Sequence, residues 1–130
     1  MEGGCLCGAI RYRVLAEPFA ADYCHCSICR KQTGSVVVAW MDFKSEQVQW
    51  LKGQLTYFHS SEFVKRGFCQ QCGSTVTFGD SRYQQYTTLT IASLGNANLV
   101  KPTYHIHTDD QVSWLTIQDE CKRFLHGASD

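Results

Sequence analysis

Seven of the eight cysteines fall into three tight clusters, Cys5-Leu6-Cys7, Cys24-His25-Cys26-Ser27-Ile28-Cys29 and Cys69-Gln70-Gln71-Cys72-Gly73. That spacing suits thiolate ligation of a metal. In an extended segment the side chains at i and i+2 share a face, so a Cys-x-Cys pair aims two sulfurs at one point. Cys-x-x-Cys-Gly does the same through a tight turn, where the glycine can adopt a left-handed backbone and turn nearby amides toward the sulfurs. A disulfide framework is the competing reading. The chain opens Met1-Glu2-Gly3-Gly4 without a basic-then-apolar leader pattern, so the expected location is the cytoplasm, a reducing compartment that disfavours structural disulfides. Two cysteines one residue apart also bridge each other only under severe strain. The expected cofactor is therefore zinc.

Cys69 and Cys72 need two further thiolates from a distant segment, and Cys5 and Cys7 supply them while leaving the central cluster intact. Four thiolates close a tetrahedral site, which gives this zinc a structural role. Cys24, Cys26 and Cys29 offer three thiolates with no obvious fourth protein ligand, which leaves a position for water or substrate. Zinc with three thiolates carries a formal charge of about −1 and is a weak Lewis acid. It suits a soft incoming ligand better, a thiol held as its thiolate and added to a small carbonyl.

The residues around these clusters have two readings each. Arg30 and Lys31 follow Cys29 directly and either offset its charge, hold a substrate carboxylate, or lie on a solvated helix face. His25 sits between two ligands and, in an extended stretch, points to the opposite face in a supporting or packing role. His105 and His107 share one face of a predicted strand, as proton carriers at the open site or as structural groups. His59 and His126 carry no signal. Cys121, in a predicted helix, reads as a free thiol or as a fourth ligand for the central set.

The elements that must position these groups read as mainly β. Ile10, Tyr12 and Val14 alternate with arginines, Val48 and Trp50 with glutamines, and Leu89 and Ile91 with threonines, while Val36 to Met41 reads as a fully buried strand. Lys52-Gly53, Gly79-Asp80-Ser81 and Gly95-Asn96-Ala97-Asn98 supply turns at a spacing that predicts antiparallel sheet. Helix is confined to one turn over Ser27 to Gln32 closed by Gly34, and to a predicted C-terminal helix over Thr116 to Leu125. A length of 130 residues with 44% hydrophobic composition predicts a single domain over residues 1–130. No apolar run approaches the roughly 20 residues of a membrane span, so no membrane is expected. Zero formal net charge and a pI of about 6.9 exclude the basic field that phosphate backbones select, so no nucleic-acid partner is expected. Oligomeric state leaves no signature.

Gly4-Cys5-Leu6-Cys7-Gly8-Ala9-Ile10-Arg11-Tyr12, the run from Cys24 through Ser35, and Arg66-Gly67-Phe68-Cys69-Gln70-Gln71-Cys72-Gly73-Ser74 together resemble the family of glutathione-dependent formaldehyde-activating enzymes, also named for centromere protein V. Tyr57 through Ser61, Lys101 through Ile106, and Trp114 extend the resemblance over nearly the whole chain. The resemblance implies a β-tent fold, a structural zinc on Cys5, Cys7, Cys69 and Cys72, and a second zinc on Cys24, Cys26 and Cys29. It also implies carbon-sulfur lyase chemistry, the reversible joining of glutathione and formaldehyde into S-hydroxymethylglutathione. The chain departs from the family pattern at Ser93-Leu94-Gly95-Asn96, where an acidic residue usually follows Ser-Leu, and at Asp119-Glu120-Cys121-Lys122-Arg123, which replaces a Gly-Leu-Pro-like ending. The alternative function is a noncatalytic zinc-binding interaction module whose metals only hold loops. The open central cluster favours the enzyme.

Overall fold

Tyr12 and Val14 are buried and Arg13 between them is exposed, and this period-2 pattern recurs through a mainly β structure. The computed structural model describes residues 1–128. Its strands are β1 (Glu2–Gly4), β2 (Arg11–Val14), β3 (Ala20–Cys24), β4 (Val38–Lys44), β5 (Val48–Lys52), β6 (Thr56–His59), β7 (Val64–Phe68), β8 (Thr75–Asp80), β9 (Tyr86–Thr90), β10 (Tyr104–Ile106) and β11 (Lys122–Arg123). They form a three-stranded sheet, β1-β2-β5, and an eight-stranded sheet, β11-β10-β3-β4-β9-β8-β7-β6. Pairing is antiparallel except at β10, which runs parallel to both β3 and β11. The antiparallel expectation therefore fails at that edge, because β10 is brought back beside β3 by a long connection rather than a hairpin.

The two faces of the large sheet have different tasks. Ala21, Met41 and Leu89 are in register across β3, β4 and β9. With Phe43 and Val76 they pack against Tyr12, Val14 and Val48 of the small sheet to form the core. Truncating a residue such as Met41 to alanine there costs about 2–5 kcal/mol. The opposite face carries Asp22 beside Trp40, and Asp42, Thr88, Phe78 and Arg66 in one row across four strands. Cys24 and Ile106 extend that face onto β10. Charged and sulfur-bearing side chains are thus gathered on one side of the sheet, opposite the apolar cluster of Ala21, Met41, Phe43 and Leu89.

The helical turn expected after Cys26 is α1 (Ser27–Thr33), with Cys26 as N-cap and Gly34 as a left-handed C-cap at φ 80° whose amide donates to the Arg30 carbonyl. The helix expected over Thr116 to Leu125 does not form. That stretch is extended and ends in β11, with the Cys121 amide donating to Asp119 Oδ1 and the Phe124 amide to the His105 carbonyl. Docking on β10 supplies the hydrogen bonds a short helix would have made internally. Among the described residues no helix is long and apolar enough to cross a membrane.

Candidate functional site

Cys5, Cys7, Cys69 and Cys72 come together, with all four sulfurs within 4.8 Å of one another. The first pair does not converge by strand alternation as expected. Cys5 follows β1 directly and the chain turns at once, the Gly8 amide bonding the Cys5 carbonyl and Gly8 standing at φ 83°. The second pair turns likewise at Gly73, φ 78°, whose amide donates to the Cys69 carbonyl at 2.8 Å. Residues with a Cβ rarely adopt such angles, which is why a glycine follows each pair. The Leu6 amide donates to Ser74 Oγ at 2.9 Å and ties the two turns together.

The sulfur geometry suits a tetrahedral ion. Cys5 and Cys7 sulfurs lie 3.6 Å apart and Cys7 and Cys69 sulfurs 3.7 Å, against an edge of about 3.8 Å for four thiolates at a metal–sulfur distance of about 2.3 Å. The Ile10 amide donates to Cys5 Sγ at 3.2 Å. The Ser74 hydroxyl, 3.2 Å from Cys72 Sγ, and the Ser74 amide hold that thiol down at about 5. Cys7, whose thiolate the Ala9 amide favours, is nonetheless pushed up to about 11 by Cys5 and the other thiols. Four thiolates cannot accumulate here without a cation, so the donor set fits a metal ion.

The central cysteines sit where β3 runs into α1. Cys24 ends the strand and Cys29 lies in the first turn of the helix, their sulfurs 3.5 Å apart. Cys26 lines the same cavity but its sulfur does not complete a group within 4.8 Å, as the four outer cysteines do. The cavity has a volume of about 250 Å³ and is walled by Asp22, Trp40, Asp42, Arg66, Phe78, Thr88, Ile106 and His107 besides the cysteines. Cys29 is held down to about 5 by the Cys24 thiol and by Arg66, whose Nη1 donates to Cys29 Sγ at 3.2 Å. Cys24 is pushed above the ordinary thiol range by the same pairing with Cys29 and by burial. The pair therefore shares one proton, and its charge is answered by Arg66.

Arg30 and Lys31 do not fill that role. Arg30 Nη1 donates to the His25 carbonyl at 2.7 Å and the Asp110 carbonyl at 2.5 Å, clamping the helix to the segment after β10, and Lys31 is exposed. Arg66 is 3% exposed and also bonds Ser60 Oγ through Nε. Asp22, like Arg66, is not marked by the cysteine spacing. Burial, then Asp42 and Cys29, raise its carboxyl to about 8, and its Oδ1 has no hydrogen-bond partner. The available signal was periodicity, since Asp22 is i−2 from Cys24 and shares its face. Trp40 lies in the run from Val36 to Met41 that reads as wholly buried, and Asp42 follows that run directly.

The histidines separate. His25 points away from the cavity, as expected, and its Nε2 lies 2.9 Å from His105 Nδ1. His105 Nε2 bonds Asp119 Oδ2 at 2.9 Å. His105 is in register with Tyr23 and stacks on it, so it lies behind the sheet from Cys24 and does not serve the cavity. His107 does not share its face. A left-handed backbone at φ 55° takes His107 out of the strand alternation and into the cavity wall. Cys121 is in an extended segment and joins His105 and Asp119, not the central cysteines, in a second group whose donor atoms could hold a metal ion.

The family model for the glutathione-dependent formaldehyde-activating enzyme matches residues 1–110. A Schizosaccharomyces pombe protein named as an uncharacterized lyase is 33% identical over 128 residues, covering 98% of this chain and 88% of its own. A Halomonas elongata protein provisionally named glutathione-dependent formaldehyde-activating enzyme is 28% identical over 135 residues, covering 93% of this chain and 85% of its own. The fold is shared with a crystal structure of a Rhodobacter sphaeroides protein at TM-score 0.62 and 23% identity, over 78% of this chain and 97% of that one. A mainly β scaffold with a four-cysteine metal-type cluster and a cysteine-lined cavity defines the class. The chain belongs to the glutathione-dependent formaldehyde-activating enzyme family.

Proposed function

We propose that this protein is a zinc-dependent carbon-sulfur lyase that reversibly joins a small thiol to a small aldehyde, glutathione and formaldehyde being the pair the family name offers. The observation that carries this reading is the cavity in which Cys24, Cys26 and Cys29 meet, with Cys29 favoured as thiolate beside a buried arginine. Cys5, Cys7, Cys69 and Cys72 hold a structural zinc. Cys24, Cys26 and Cys29 hold a second, with a rotation of the Cys26 side chain bringing in the third sulfur. Bound there, zinc would supply a position at which an incoming thiol ionises.

The protein's own groups do the rest. In the forward direction the thiol sulfur bonds the aldehyde carbon, the carbonyl π pair moves to oxygen, and the proton lost from sulfur ends on that oxygen. His107, turned into the wall, carries the proton between them. Trp40, Phe78 and Ile106 exclude water from the reacting atoms, and Arg66 keeps the anionic cysteines from repelling the incoming thiolate. At about 250 Å³ the cavity takes the thiol end and the aldehyde.

Thiol titration of the cobalt-substituted protein tests the reading, because a sulfur entering the coordination sphere changes the visible spectrum. A thiol-dependent change in the wild type that is lost in Cys26→Ser is the expected result. A spectrum indifferent to every thiol would favour the noncatalytic zinc module instead.

A further inference from the structure

The cavity that holds the central cysteines does not stand alone. Asp42, Phe78 and Thr88 wall it on one side and are also the near wall of a second cavity of about 370 Å³, completed by Phe19, Asp80, Tyr83 and Tyr86. Strand geometry puts the two in line. Phe78 and Asp80 are i and i+2 on β8, Tyr86 and Thr88 are i and i+2 on β9, and both pairs face the side of the sheet that carries Cys24.

The second cavity has a one-sided chemistry. Four aromatic rings line it, two of them, Phe19 and Tyr86, with centroids 5.3 Å apart, and two carboxylates stand among them. Asp80 is held ionised by Arg82, which donates to it from Nε at 3.0 Å and Nη2 at 2.7 Å. Asp42 takes a hydrogen bond from Thr88 Oγ1 at 2.6 Å on one oxygen. Arg82 answers the charge of Asp80, so Asp42, bonded only by the neutral Thr88 hydroxyl, is the acid left among the aromatic faces to attract a substituted ammonium. Asp22, 5% exposed, lines the adjoining first cavity, and its Oδ1 has no hydrogen-bond partner. A buried acceptor in that state calls for a donor that the chain itself does not bring.

We propose that the second cavity is a recognition subsite for the ammonium-bearing end of the thiol substrate whose sulfur reaches Cys24, Cys26 and Cys29, with Asp22 accepting a nitrogen-bound proton on the chain between. The inference rests on the thiol–aldehyde reading above. It selects among thiols by chemistry. A γ-glutamyl thiol has an amide N–H near its sulfur and, because the linkage uses the side-chain carboxyl, a free α-ammonium at its far end. The carboxylate at the other end of such a tripeptide is directed to solvent.

Calorimetric titration of the zinc-loaded full chain with three thiols tests this: glutathione, glutathione acetylated on its α-amine, and glutathione esterified on its glycine carboxylate. Acetylation removes the cation and is expected to weaken binding about tenfold or more, while esterification changes it less than about twofold. In Tyr86→Leu and Asp42→Asn the tenfold preference for the free amine should fall to about threefold or less. Tyr86 is 44% exposed, so its replacement reads the subsite without disturbing the core. Equal affinity for glutathione and its acetylated form, or a preference unchanged in Tyr86→Leu, overturns the subsite while leaving the lyase reading in place. Failure of all three thiols to bind overturns the lyase reading and the subsite with it.

Discussion

Arg66 Nη1 lies 3.2 Å from Cys29 Sγ, and both groups are buried. A guanidinium cannot lose its proton, so a buried arginine demands a permanent negative partner. Phe78 lies under the same group, with the guanidinium carbon 5.0 Å from the ring centroid. The charge of the central cysteines is thus answered from the sheet, leaving the helix that carries Cys29 free to hold its register through Arg30.

Arg66→Met should therefore raise the Cys29 thiol and destabilise the protein by about 3 kcal/mol, the cost of orphaning one member of a buried charged pair. In metal-free protein the Cys29 thiol sits below its unfolded value of 9.0, at about 5. The stability it contributes therefore grows as pH rises from about 5 to 9.0, and above 9.0 the raised Cys24 thiol works against it. The alkylation rate of Cys29 against pH, read by peptide mass, gives the midpoint. A midpoint that does not move upward in Arg66→Met contradicts the pairing.

Cys72→Ser removes a donor from a cluster that joins the β1–β2 turn to the β7–β8 turn. Loss of a ligand whose binding is coupled to folding should cost about 3 kcal/mol or more and reduce the metal content. Thermal melts with metal quantitation check this, and a variant that melts like the parent with full metal would contradict it.

The central site should lose metal first. Four sulfurs already converge within 4.8 Å at the outer cluster, whereas the central set closes only with a movement of Cys26. Under graded chelation, reactivity toward thiols should disappear while the far-ultraviolet spectrum is unchanged. Simultaneous loss of both metals and of structure would contradict separate roles.

Much of this was legible in the cysteines, because ligand spacing is a local property and the turns that follow Cys7 and Cys72 are written in Gly8 and Gly73. The strands β2, β5 and β9 were legible from alternation for the same reason, and β4 from the apolar run that begins at Val36. Arg66 was not, since Lys65-Arg66 reads as an exposed basic pair until the register of β7 against β8 puts one of the two inside. His105 and His107 look equivalent in a strand, and the positive φ at His107 that separates them has no glycine to announce it. The Thr116 to Leu125 stretch shows helical spacing locally, but its hydrogen bonds go to β10, which is distant in sequence.

Asp119 fastens that stretch. His105 and Arg123 hold its carboxyl below the usual range, although partial burial opposes this. Because the folded value is depressed, the contact is complete above about pH 4 and lost as pH falls further. Asp119→Asn should speed amide exchange of Phe124 and of β11 by about tenfold or more at neutral pH, while Met41 and Leu89 keep their protection. Unchanged exchange at Phe124 would contradict the anchoring.

The most direct test of the central claim is the rate of exchange between free thiol plus formaldehyde and their hydroxymethyl adduct, measured by magnetization-transfer spectroscopy with the uncatalysed rate subtracted. Acceleration by the zinc-loaded wild type is expected, with loss of nearly all of it in Cys26→Ser and a reduction of about a hundredfold in His107→Gln. A wild-type rate equal to background for glutathione and for smaller thiols, with the central site fully loaded, would contradict it.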